Sequence, residues 1–300
     1  MSGATRGLDD LDQSSNQHVE RDLGRRWLSM RAGVTLYGLA SAACGLMDLI
    51  WRDFDRAHQP IQAFGDHIPG REILAFITAI VMIAGGVAIL WRRTARAGAA
   101  ALAFIYFIFT IFWLPRLFTA PYFLGYRITV YVGVLAGVGM ELIAFAGGAL
   151  VYAALAGPVN TNSSPGPRWP QTIRIARWIF GLCSIDFGLN HLLNVSDNLI
   201  YAPKWMPFGS GFWVIVTGIC FVVAGLAILS GIQDVLAARL LALMFFAFNL
   251  FALPQFIFAN PHEHAAWGGN AFNLALVAAN WILADALATR RKAPQRLGAA

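Results

Sequence analysis

The sequence predicts an all-α integral membrane protein of eight transmembrane helices, arranged as two parallel four-helix repeats. Three observations predict it. Charge is scarce: 13% of the 300 residues are Asp, Glu, Lys or Arg, against about 25% in a soluble domain, and 58% are hydrophobic. The apolar residues fall into runs near the roughly 20 residues a helix needs to cross a bilayer. The second half of the chain also echoes the first, in order.

Residues 1–27 form a polar cytoplasmic tail of mixed charge, whose composition reads as disordered. The tail is too long and too acidic for a secretory signal. The spans follow at about 28–50, 72–91, 96–114, 128–155, 173–194, 211–230, 235–255 and 268–288. The runs are continuous, without the period-two alternation of a membrane strand. In lipid a helix satisfies its own backbone. Residues 28–156 make the first four-helix unit and 173–289 the second. The Pro- and Ser-rich linker 157–172 divides them, and a basic tail, 290–300, ends the chain.

A shift of 143 carries Gly38, Ser41, Gly45 and Leu49 onto Gly181, Ser184, Gly188 and Leu192, and sets Asp48 against His191. A shift of 139 carries Gly86 onto Gly225 and Leu114-Pro115 onto Leu253-Pro254. A shift of 132 carries Glu141-Leu142 onto Asn273-Leu274. Each unit has an even number of spans, so both copies start from the same side and the repeats are parallel. Sixteen Lys and Arg residues fall on the side of the termini and six on the other. The positive-inside rule therefore puts both termini in the cytoplasm of a bacterial-type inner membrane. The net charge of +6 is spent on loop topology, and no nucleic-acid surface is expected.

An ionisable group within a span costs about 2.5–3.5 kcal/mol on insertion scales, so it faces the bundle interior and has a partner. Such residues gather toward the outer side of the second repeat. Asp186 and His191 are the candidate catalytic pair, as proton-handling groups on one helix. Asn190, one turn beyond Asp186, is a candidate ligand-binding residue, with Asn249, Gln255, Asn273, Trp205 and Trp267. Interhelical hydrogen bonding is the competing use of the asparagines, and an interfacial aromatic belt that of the tryptophans. The first repeat offers Asp48, Arg116 and Glu141, with His58, Asp66 and His67 in its first loop. Gly133-x-x-x-Gly137 predicts close helix packing.

His262-Glu263-His264 lacks the i, i+4 spacing of a helical metal motif, and no metal site is assigned. Cys44, Cys183 and Cys220 lie within apolar runs and form no C-x-x-C, which argues against a dithiol centre.

Phe-Gly-Leu-Asn-His-Leu at 187–192, Ala-Pro-Lys-Trp-Met-Pro at 202–207 and Ala-Gly-Leu-Ala-Ile-Leu at 224–229 resemble the DoxX-like membrane proteins. The first half resembles them more weakly, so the chain reads as a tandem pair over about 30–290. The resemblance implies membership of a quinone-linked or other redox complex, a quinone as ligand and a soluble redox protein or second subunit as partner. No cofactor motif accompanies it.

Two functions follow as expectations. One is the membrane subunit of a quinone-linked oxidoreductase, with an outward-facing polar cleft in the second repeat. The other is a non-catalytic permease or assembly partner. On a helical wheel Gly181, Ser184 and Gly188 form a seam shared with the first repeat, whereas Asp186, Asn190 and Asn194 stand opposite apolar counterparts. The site is therefore expected in the second half, with the first as scaffold.

Overall fold

The structure, a computed structural model, describes residues 2–56, 58, 69–156 and 169–292, with side chains from 24 to 290 within those ranges. Asp66, His67, most of the 157–172 linker and residues 293–300 lie outside the described residues. Those described form helices and connections, with no strand among them.

Helix α1 runs from Ser2 to Trp51. The tail expected to be disordered continues this helix. Residues 1–51 contain no proline, and extending a helix already nucleated in a span is far easier than starting one. Helix α2 (Arg71–Ala88) follows a turn at Gly70, and α3 (Ala95–Trp113) follows Thr94, whose hydroxyl donates to Ala88 O. Leu114-Pro115 breaks the next turn and α4 (Arg116–Leu124) carries on beyond it. Helix α5 (Ile128–Leu155) closes the first half.

The second half contains α6 (Trp169–Leu193), the short α7 (Val195–Asn198), α8 (Ser210–Ser230) and α9 (Asp234–Ala247). A π-turn over Phe248–Ala252 precedes α10 (Pro254–Ala259), and α11 (His264–Lys292) ends the described chain. The π-turn stands where Pro254, without an N–H, interrupts the ladder.

Among the described residues, seven helical stretches are long and apolar enough to cross a membrane: Gly24–Trp51, Arg71–Ala88, Ala95–Leu124, Ile128–Leu155, Ser210–Ser230, Asp234–Ala259 and His264–Arg290. This is a multi-pass helical architecture that fits a membrane protein. Helix α6 has the length, at 25 residues. Its Arg174, Arg177, Asp186, Asn190 and His191 hold it below the others in hydropathy.

The helices form a closed ring in which α1 packs on α2, α2 on α3, α3 on α5, α5 on α6, α6 on α8, α8 on α9, α9 on α11 and α11 on α1. Helices α5 and α11 also touch across the middle and are the most buried of the seven membrane-length stretches. The predicted glycine seam lies between α1 and α2 and again between α6 and α8. A Cβ on Gly38 would stand 2.6 Å from Gly86 O, and one on Gly225 would stand 2.6 Å from Gly181 O. Backbone meets backbone there, so van der Waals contact replaces side-chain packing. Gly86→Leu should therefore force α1 and α2 apart and abolish recovery of monodisperse protein in mild detergent. Recovery at the wild-type level would show that the seam tolerates a side chain.

Candidate functional site

The polar residues expected in the second half are mostly satisfied by one another. The Asn273 amide donates to Phe245 O at 2.7 Å and to Asn249 Oδ1, and Asn249 donates to Asn270 O at 2.9 Å. These bonds tie α11 to the end of α9 and the π-turn. Asn194 donates to Asn190 Oδ1 and to Thr129 O, joining α6 to α5. Gln255 reaches Ile200 O and Tyr201 O at 3.2 and 3.3 Å.

His191 Nδ1 lies 2.9 Å from the Thr217 hydroxyl, with its ring against Phe221 and Phe248. Its hydrogen bond thus goes to α8, and Asp186 is left half-buried with Oδ2 lacking a hydrogen-bond partner. Trp267 donates to Pro261 O, whereas Trp205 is largely exposed, edge-on to Phe251. The structure therefore joins Asn249 with Asn273, but gathers the candidates into no single cleft.

The densest set of buried ionisable groups lies in the first half. Asp48, near the end of α1, has no exposed surface. Its Oδ1 accepts the Asp55 backbone N–H at 2.9 Å and pairs with His264 Nε2 at 3.2 Å. Its Oδ2 is 3.8 Å from His58 Nδ1, an ion pair too long for a hydrogen bond. The segment after α1 thus turns inward. The Arg71 guanidinium pairs with Asp53 at 2.7 and 2.9 Å and ties this turn to the start of α2. On the α11 side, the Asp55 carboxylate fills the space where a Cβ on Gly268 would stand. Trp51 stacks on His264, with ring centroids 5.1 Å apart, and donates to His262 O.

His58 is 1% exposed. Its ring stacks on Phe109 at 4.6 Å, meets Phe272 edge-on at 4.9 Å and lies 6.1 Å from Tyr106. Burial alone pushes the imidazole down. The Asp48 carboxylate beside it, with the charges of Glu141 and Asp55, more than offsets this and holds it at about 9.

Deeper in the ring, Glu141 on α5 is fully buried, and neither carboxylate oxygen has a hydrogen-bond partner. The Arg116 guanidinium is buried over the Trp113 ring, 3.6 Å from its centroid. Gly137, expected to let a helix approach, makes room for the Trp113 indole instead. The Tyr37 hydroxyl donates to Ala144 O at 2.6 Å, and Ser41 bonds Tyr106 at 3.0 Å. An array of acids and imidazoles thus runs from the Trp51–His264 stack at the end of the bundle to Glu141 in its interior. Such an array can bind and pass protons and can hold a cationic or hydroxyl-bearing ligand.

In the sequence Asp48, Arg116, Glu141 and His58 stand singly, as the poorer set, and nothing there shows that the chain brings them together with His264. The available signal was three ionisable residues within or just beyond membrane-length runs, Asp48, Arg116 and Glu141, at positions whose repeat counterparts are also polar: His191, Gln255 and Asn273. Of His262-Glu263-His264, only His264 has its side chain on the array. No group of three His, Cys, Asp or Glu among the described residues has the arrangement of a metal site. No protein-family model, curated protein or solved structure matches the chain.

Proposed function

We propose that the protein is an eight-span inner-membrane protein of two parallel DoxX-like units, with both termini cytoplasmic, serving as the membrane subunit of a quinone-linked oxidoreductase system. The ring supports the two-unit reading: exchanging α1 with α6, α2 with α8, α3 with α9 and α5 with α11 maps its contacts onto themselves. The Lys and Arg count supports the orientation, which sets the Trp51–His264 stack on the outer side.

The observation that carries the redox reading is the buried array of Asp48, His58, His264 and Glu141 beside the rings of Phe109, Tyr106 and Phe272. A quinol gives up two protons with its two electrons. The protons need acceptors on the side where oxidation happens, and the electrons pass to a redox partner. The array offers acceptors for those protons. In this reading the second-half amides hold α9, α10 and α11 around the π-turn, and Asp186 is a second acid.

In membranes that support quinol-dependent electron transfer, Glu141→Gln should lower turnover at least about a hundredfold, the low end of a general acid–base contribution, at unchanged abundance. Asp186→Asn is run beside it. Wild-type turnover in both variants sinks the redox reading.

A further inference from the structure

We propose that the aromatic and acidic cage around His58 is a binding site for a small organic cation of diffuse charge, and that His58 is its built-in occupant. The cage would accept an imidazolium, a guanidinium or a methylated ammonium. This does not depend on the quinone-linked reading.

The placement of His58 is the first observation. It belongs to a connection, not to a span, and connections run over protein surfaces because their backbone needs water. His58 is instead almost wholly buried among α1, α3 and α11.

How it is held is the second. A buried imidazole ordinarily satisfies its ring nitrogens with hydrogen bonds, but neither Nδ1 nor Nε2 has a hydrogen-bond partner here. What surrounds it is charge and ring faces. Asp48 Oδ2 stands 3.8 Å away, and Asp55 and Glu141 are near enough for their charges to act on the ring. Phe109 lies flat against it, while Phe272 and Tyr106 close two further sides. Rings within about 6 Å of a cation attract it through their quadrupoles, more strongly when water is excluded. The Asp48 carboxylate, at ion-pair rather than hydrogen-bond distance, adds attraction without fixing a donor direction. The cage therefore selects positive charge and a flat or compact shape, and a free cation with those properties meets the same requirements.

Cage and occupant are also chemically separable. The carboxylates and rings come from α1, α3, α5, α11 and the turn at Asp55, which His58 joins through its backbone N–H to Asp55 O at 3.0 Å and not through its ring. Removing the imidazole leaves the carboxylates of Asp48 and Glu141 and the three rings facing a space of imidazole size. An external ligand and the His58 ring exclude one another.

The test is rescue of His58→Gly, with His58→Gln as a second variant in case the glycine protein does not fold. Purified protein in lipid nanodiscs at neutral pH is unfolded thermally with added imidazole, guanidinium or tetramethylammonium, against sodium chloride at equal ionic strength. The variant should unfold below wild type, and at least one organic cation at millimolar concentration should restore its midpoint. Wild type, its cage already filled, should not respond. Phe109→Leu in the same background should raise the half-saturating concentration roughly tenfold through loss of one ring face. Equal effects of sodium and the organic cations on the variants overturn the proposal. So does a rescue that Phe109→Leu leaves unchanged, which would place the binding elsewhere. Neither readout involves a quinone, so this result and that of the turnover assay are independent.

Discussion

Asp48→Ala should destabilise the protein by about 3–5 kcal/mol, the range for removing one partner of a buried ion pair. One carboxylate serves three groups: the Asp55 backbone N–H, His264 and His58. Alanine would leave a buried N–H without its acceptor and two imidazoles without the charge they face, and the turn after α1 would lose its hold on the bundle. Asp48→Asn keeps an oxygen for the Asp55 N–H but removes the charge the imidazoles face, so an intermediate loss is expected. Equilibrium unfolding in nanodiscs at neutral pH measures both. An alanine variant within about 1 kcal/mol of wild type would show that the cluster is not held through Asp48.

The second large effect is a pH dependence centred on His58. Its pKa in the folded protein is about 9, against an ordinary value of 6.5. A raised folded-state value means that folding favours the protonated ring. The contribution is full below pH 6.5, declines as pH rises above it and is gone above about 9. The shift corresponds to about 3 kcal/mol. Several groups share the surroundings: Asp48 on α1, Asp55 in the turn, Tyr106 on α3, Arg116 on α4, Glu141 on α5 and His264 on α11. The assignment therefore needs a variant. His58→Gln should flatten the stability profile between pH 6.5 and 9 while leaving its shape at lower pH. Parallel profiles for the two proteins would assign the slope to another group.

The glycine seam illustrates what was legible along the chain. Gly38 and Gly45 recur as Gly181 and Gly188, Gly86 recurs as Gly225, and the structure packs them as backbone contacts between α1 and α2 and between α6 and α8. Such a seam is local on each helix, so a shift of the sequence against itself reveals it. The tail was read differently from its fold because composition reports solvation, whereas its helix is carried on from the span.

The site was only partly legible. Asp48 and Glu141 were visible as ionisable residues in apolar runs, and their repeat counterparts His191 and Asn273 were visible as polar. The wheel put Asp186 and Asn190 on a polar stripe, but Asn190 is bonded to Asn194 and Asp186 meets no candidate partner. A wheel shows which residues share a face, not which neighbour that face meets. His58 gave less signal still, because a histidine in a polar loop looks solvated until the turn at Asp55 carries it inward.

Hydropathy, charge placement and the internal echo were enough, without coordinates, to predict a multi-pass helical membrane protein, although they set eight spans where seven of the described helical stretches are apolar enough to cross. These follow from the balance each segment strikes with lipid and water, which is a property of that segment alone. Tertiary structure alone decided that Asp48, His58, Glu141 and His264, separated by up to 216 positions in the chain, form one buried array, and that Asn249 and Asn273 bond each other and neighbouring carbonyls. The charge on a buried group is set by what surrounds it, and those neighbours come from helices distant in sequence.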